Sequence, residues 1–281
     1  MRTNKRVVFL SLVFVLLFSI GVGKTFASSK FVNYNDIEIT SSEYNTLLNL
    51  GFNDDQIYYM TQEEYDRNKD LDAKLLAKTI KYYKTVSPTF GHSYTVEVSE
   101  EEYNNVQTGV VMRGSVDTTY KTVVSTISAN GNKYRYMVTT AWKIMPSVHS
   151  YDIIGIGFSD YVHIDSSVYF SFTYANPAGS YTTSTQYYNK KSVSTGGAAV
   201  YKIPDSISAL SANLYYDVAK DSGATVTNIS MCGDYAHATS NVNVSNVGNY
   251  NIGITGINLG SGLSGHYDAI PCAMSSAVTS W

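Results

Sequence analysis

Val123-Val-Ser-Thr-Ile-Ser-Ala-Asn130-Gly131-Asn-Lys-Tyr-Arg-Tyr-Met-Val-Thr-Thr-Ala-Trp142 places two alternating runs on either side of an Asn-Gly dipeptide. Asn-Gly accepts the positive φ angles of a type I′ turn, whose twist matches that of two antiparallel strands. With Ala129 opposite Asn132, Ile127 falls opposite Tyr134, Ser125 opposite Tyr136, Val123 opposite Val138 and Thr119 opposite Trp142. That face is apolar and aromatic. The other face pairs Ser128 with Lys133, Thr126 with Arg135 and Thr122 with Thr139, and is expected to be wet. Turn and alternation select the same sides, so the stretch is predicted to be a β-hairpin.

Downstream of it, further strands are expected at Ile153–Phe158, Val168–Tyr174, Tyr181–Tyr188, Ala198–Ile203, Leu210–Val218, Thr225–Ile229, Ala238–Val244 and Tyr250–Ile254, separated by turn signals such as Asn176-Pro177 and Gly196-Gly197. Residues 108–281 contain no glutamate and are dense in Ser, Thr, Tyr, Val, Asn and Gly, which favour strands and turns over helices. The spacing predicts a mainly β fold, an antiparallel β-sandwich over 108–281, with a barrel-like closure as the alternative.

Upstream, Thr40-Ser-Ser-Glu43 fits a capping box, and Tyr44, Leu47, Leu48 and Leu50 give the helix behind it an apolar stripe that ends at Gly51. Asn53-Asp-Asp caps a second short helix through Ile57 and Met60. Thr61-Gln-Glu-Glu64 is a second capping box, and Leu71, Leu75, Leu76 and Ile80 continue a helical spacing toward Lys84, with Ser87-Pro88 as its stop. Residues 28–90 are thus expected to be a small helical N-terminal segment and 91–107 a linker.

The chain opens with Lys5-Arg6, an apolar run from Val7 to Val22, and Thr25-Phe26-Ala27, the pattern of a cleavable secretory signal peptide over residues 1–27. The run is short for a membrane span and no second one follows, so no transmembrane anchor is expected. Removing 1–27 takes away Arg2, Lys5, Arg6 and Lys24 and moves the net charge from −3 to −7. The excess is N-terminal: residues 28–107 hold fourteen acidic and seven basic side chains. Such a surface disfavours nucleic acid as a partner.

Trp142-Lys-Ile-Met-Pro-Ser-Val-His-Ser-Tyr-Asp-Ile-Ile-Gly-Ile-Gly-Phe158 and Glu43-Tyr-Asn-Thr-Leu-Leu-Asn-Leu-Gly-Phe52 resemble segments of uncharacterised secreted proteins of Gram-positive bacteria. The resemblance covers under half of the chain. It implies an extracellular location and a bacterial source, and no activity.

Cys232 and Cys272 are the only cysteines. In an exported protein a disulfide between them is the expected reading, ahead of two buried thiols or a nucleophile. Their flanks, Cys232-Gly-Asp234-Tyr-Ala-His237 and His266-Tyr-Asp268-Ala-Ile-Pro-Cys272, form the one place where reactive residue types converge. A hydrolase using Cys232, His237, His266 and Asp268, or a zinc site, could be drawn from them. Neither has a recognised spacing, and a disulfide removes the thiolates, so the four polar residues Asp234, His237, His266 and Asp268 read as a loop cluster beside a disulfide. No metal or cofactor is expected. Gly260-Ser-Gly-Leu-Ser-Gly265 matches a dinucleotide fingerprint in letters only, because no helix follows it.

The 25 tyrosines could line a surface for an extracellular protein or glycan, although on half-buried strands they are also ordinary strand residues. Tyr181–Val200, rich in Ser and Thr, has the composition of segments that pore formers refold into membrane hairpins, but neither of its alternating sides is apolar enough for lipid. A secreted, non-catalytic binding module is the expected function, with a pore-forming β protein and the hydrolase as alternatives.

Overall fold

Asn130 and Lys133 close the hairpin around a two-residue loop of Gly131 and Asn132. Gly131 has φ +62 and takes the first loop position, where a type II′ turn requires glycine. The turn therefore sits one residue later than the expected type I′ arrangement, and the pairs slide by two: Ile127 meets Tyr136, Ser125 meets Val138 and Lys121 meets Trp142. Because the slide is even, every side chain keeps its face.

The computed structural model describes residues 30–88, 93–106, 116–159, 161–243, 245, 247–268 and 270–279. The expected signal peptide lies outside them. In chain order the elements are β1 (Phe31–Val32), β2 (Glu38–Ile39), α1 (Ser41–Leu50), α2 (Asp54–Tyr59), α3 (Gln62–Asn68), β3 (Ala73–Pro88), β4 (Tyr94–Val98), α4 (Glu100–Asn105), β5 (Val116–Asn130), β6 (Lys133–Ile144), β7 (Tyr151–Phe158), β8 (Val162–Ile164), β9 (Tyr169–Ala175), β10 (Tyr181–Ser184), β11 (Asn189–Val193), β12 (Gly196–Lys202), β13 (Ala209–Lys220), β14 (Asn228–Ala236), β15 (Tyr250–Gly253), β16 (Gly256–Leu259) and β17 (Ala273–Val278).

Two antiparallel sheets face one another. The larger runs β10-β9-β13-β6-β5-β3-β4, with β8 added on β13; the smaller runs β11-β12-β7-β14-β17. Both sheets keep free edges, so the fold is a sandwich and not a closed barrel. Val123, Ile127, Tyr136, Val138 and Trp142 from the larger sheet bury against Ile154, Ile156, Tyr201, Met231 and Tyr235 from the smaller one.

The face of the hairpin expected to be wet is covered. Leu47, Leu50, Phe52, Ile57, Met60 and Tyr65 of the helical segment pack on Met137, Tyr169 and Tyr215 of the larger sheet, which leaves Thr126, Ser128, Arg135 and Thr139 buried. On the far side, β15 and β16 with their flanking loops cover the smaller sheet through Val247, Tyr250, Leu263 and Tyr267. Gly157 makes that closeness possible: a Cβ there would lie 1.7 Å from the Gly253 carbonyl oxygen.

The first two helices form as the caps predict. Thr40 with Glu43 and Asn53 with Gln56 are complete capping boxes. In the third helix only half of the box forms: Thr61 accepts from the Glu64 N–H, while the Glu64 carboxylate turns to Asn213 and Ser171.

That helix ends at Asn68, and the expected helical continuation to Lys84 is instead the long strand β3, paired with β5 and β4. Thr79, Ile80, Thr85 and Val86 are β-branched, and pairing on both sides outweighs a leucine spacing that fits a helix by chance. The expected linker contains β4 and α4, the latter capped by Ser99. A division near residue 90 thus falls between two paired strands. Of the strand expected at Ala238–Val244, the described residues 238–243 form none, and Ala238 makes a single bridge to Tyr267; Val244 lies outside the described residues. The strand expected at Thr225–Ile229 starts at Asn228 and continues to Ala236, and the one at Tyr181–Tyr188 stops at Ser184. Tyr181–Val200 divides between the two sheets, with β10 in the larger and β11 and β12 in the smaller.

Candidate functional site

Cys232 and Cys272 are joined as a disulfide, with Cα atoms 5.6 Å apart. The bond ties β14 to the residue that precedes β17. With both sulfurs joined to each other, no thiolate is available to act as a nucleophile or to bind zinc, and no cluster of metal-ligating side chains occurs among the described residues.

The four polar residues around the disulfide do not form one constellation. Asp234 lies on the outer side of β14, where its carboxylate accepts from the Ile257 N–H at 2.7 Å and so anchors β16. Burial pushes its carboxyl up to about 6. His266 is at the surface, bonded to Ser240. His237 and Asp268 do meet: the His237 N–H donates to Asp268 Oδ1 at 2.7 Å, and the Asp268 N–H donates to the His237 carbonyl.

His237 and Asp268 belong to a buried polar group whose other members come from strand interiors. Lys121, fully buried, makes an ion pair with Asp268 Oδ2. The Thr85 and Thr95 hydroxyls reach the same oxygen at 3.3 and 3.4 Å. The ammonium also lies 4.9 Å from the Trp142 ring and 5.2 Å from the Tyr235 ring. Asp152 accepts from the Tyr235 hydroxyl, is bonded to His237 Nδ1 at 3.0 Å, and accepts from the Ala238 N–H at 3.0 Å. Trp142 Nε1 donates to the Tyr235 hydroxyl at 3.2 Å, and Tyr201 shares that oxygen.

Lys121 and Asp152 were legible but missed. Lys121 shares parity with Val123 and Ile127, and Asp152 with Ile154 and Ile156, so both charges stand at inward-facing strand positions. That violation of the alternation is the signal that marks a buried polar site. A small cleft lined by Thr85, Asp117, Thr119, Pro146, His237 and Thr239 opens beside the group.

A second candidate lies on the outside. Tyr34 comes from the turn between β1 and β2, Phe31 from β1, Tyr44 from α1, Tyr58 and Tyr59 from α2, and Tyr181 from the edge strand β10. Their rings touch in series: Phe31 to Tyr44 at 5.9 Å and to Tyr58 at 6.1 Å, Tyr34 to Tyr59 at 5.4 Å, Tyr58 to Tyr59 at 4.8 Å, and Tyr59 stacked on Tyr181 at 3.9 Å. Phe31, Tyr34 and Tyr58 are exposed, at 36%, 44% and 38%.

The backbone beneath these rings is fixed. Asn33 Nδ2 donates to the Met60 carbonyl at 2.9 Å, Asn35 Nδ2 to the same oxygen at 3.0 Å, the Tyr34 N–H to Tyr58 O at 2.8 Å, and the Thr183 hydroxyl to Tyr59 O at 3.0 Å. The sequence points to tyrosines as a class but not to this group, because its members come from β1, the turn after it, α1, α2 and the distant β10.

No family model matches this chain, and no curated protein sequence does. Among solved structures, it is similar to the collagen-binding domain of the Erysipelothrix rhusiopathiae surface protein RspB, at TM-score 0.32 and 7% identity over 59% of this chain and 64% of that one. It is also similar to the RrgB pilus protein of Streptococcus pneumoniae, at TM-score 0.28 and 7% identity over 59% of this chain and 42% of that one. A third is the collagen adhesin of S. aureus, at TM-score 0.23 and 8% identity over 58% and 74%. The chain spans less than two thirds of the length of the first two.

Proposed function

We propose that this chain is a secreted, extracellular, non-catalytic binding module whose contact surface is the aromatic group of Phe31, Tyr34, Tyr44, Tyr58, Tyr59 and Tyr181, and whose partner is an extracellular protein or glycan. The observation that carries the reading is the contiguity of six rings on a hydrogen-bonded scaffold, three of them open to solvent. A tyrosine ring offers a large, rigid contact at little cost in side-chain entropy, and its hydroxyl serves a polar ligand. Contiguous exposed rings of this kind mark interaction sites more often than solitary ones.

The test uses the mature protein against an array of immobilised polysaccharides and a panel of matrix proteins. Binding to a member of either, weakened roughly tenfold or more in Tyr34→Ala and Tyr58→Ala, is the expected result. Both rings are at the surface, so far-ultraviolet circular dichroism and the melting temperature should remain close to those of the parent. Binding that persists unchanged in the double variant refutes this surface as the site, and absence of binding across both panels refutes the module reading.

A further inference from the structure

Lys121 and Asp268 present an amine and a carboxyl to each other in a site with no exposure on either side chain. A buried ion pair is held only by its partners, because both charges have lost their hydration. Here those partners are unevenly placed. Asp268 Oδ1 is fixed by the His237 N–H at 2.7 Å, whereas Oδ2 faces the Lys121 ammonium and the Thr85 and Thr95 hydroxyls. The ammonium is flanked by the Trp142 and Tyr235 rings, which attract a cation but accept no proton. Within this group the carboxylate is the base in contact with it.

We propose that Lys121 and Asp268 condense to an isopeptide bond that links β5 of the larger sheet to the segment leading into β17 of the smaller. A proton passes from Lys121 Nζ to Asp268 Oδ2, giving a neutral amine and a carboxylic acid in contact with each other. The amine nitrogen attacks Cγ, and the developing negative charge on Oδ1 is stabilised by the His237 N–H, in the manner of an oxyanion donor. The Nζ–Cγ bond forms and the Cγ–Oδ2 bond breaks. Oδ2 leaves as water with two of the three ammonium protons, and the third stays on the amide nitrogen. Nothing is oxidised or reduced.

Two features of the site favour the product. The amide carries no charge, so condensation removes two buried charges without leaving an orphan. The amine and carboxyl are held together by the folded sheets, which replaces a bimolecular encounter with an intramolecular one. Thr85, which touches Oδ2, also lines the small cleft beside His237, and this gives the released water a route outward.

The experiment is intact-mass and peptide analysis of the folded, full mature protein, reduced and alkylated before digestion so that the disulfide does not link the fragments. The expected result is a mass lower by one water than the sequence requires, and a branched peptide in which the segments containing Lys121 and Asp268 are joined through side chains. Lys121→Ala and Asp268→Ala should each regain that mass and yield the two segments as separate linear peptides. A parent protein at full mass, with the two segments unlinked, overturns the proposal whether or not either variant folds. A missing water without the branched peptide overturns it equally.

Discussion

Arg135 and Asp217 lie side by side on adjacent strands of the larger sheet, with Nε donating to Oδ1 at 2.8 Å and Nη2 to Oδ2 at 3.2 Å. The fork also reaches Asn68 at the end of α3, and the guanidinium stacks 4.8 Å over the Tyr215 ring. The pair is nearly dry because the helical segment roofs it. A planar guanidinium satisfies all of these partners at once, and a lysine could not. Arg135→Ala should cost about 3 kcal/mol, since Asp217, mostly shielded from water, then loses its guanidinium partner, and the double variant with Asp217→Ala should cost less than the sum of the two singles. Chemical denaturation of the four proteins measures both.

Glu64 supplies a pH dependence. It is fully buried under the helical layer, and burial pushes its carboxyl up to about 7, against the Asn213 and Ser171 bonds that pull it down. The folded state therefore holds a proton that the unfolded state has released between about pH 4.5 and 7. Stability should fall as pH rises through that window and level off above it. Glu64→Gln should flatten the slope. Its thermal melting point should sit closest to the parent's at pH 4.5 and highest relative to it at pH 8.

Removing residues 28–90 tests how the chain divides. A chain beginning at Gly91 lacks β3, which pairs with both β4 and β5 in the larger sheet. It also lacks the helices that cover Arg135, Met137 and Tyr215. Such a chain should lose cooperative unfolding and bind a hydrophobic dye. If it melts cooperatively near the parent temperature, the helices and β3 are an independent accessory instead of part of the sandwich.

Gly157→Ala tests the layer on the other side. The added methyl would overlap the Gly253 carbonyl and force β15 away from the smaller sheet. The expected result is loss of protection at Tyr250–Leu259 in hydrogen exchange or limited proteolysis, while the hairpin of β5 and β6 keeps its protection.

How much of this was readable depends on whether a local signal agreed with the tertiary one. Asn130-Gly131 and its flanking alternation named the hairpin and assigned each residue to its face, and the sandwich class followed. The register did not, because the dipeptide fits two loop positions and only the sheet chooses between them. The wet face was misread for a different reason: Thr, Ser and Arg look solvated in a strand until another layer is known to lie over them. Leu71, Leu75, Leu76 and Ile80 satisfied a helical spacing in a segment whose β-branched residues and tyrosines belonged to a strand. At the polar site, Asp268 and His237 were visible beside the cysteines, but their partners Lys121 and Asp152 came from strands far away in sequence.

Reduction of the Cys232–Cys272 bond should lower stability by about 3 to 4 kcal/mol in the chain-entropy picture, as read from denaturant midpoints with and without reductant. The position of that bond has a mechanical side. β17 lies at the edge of the smaller sheet and pairs along β14 from Asn228↔Val278 back to Gly233↔Ala273. Tension applied at the C-terminus would unzip those pairs one after another, and the tear would stop at Cys272. From there the load passes through a covalent bond into β14, which is held on its other side by β7 in the middle of the sheet.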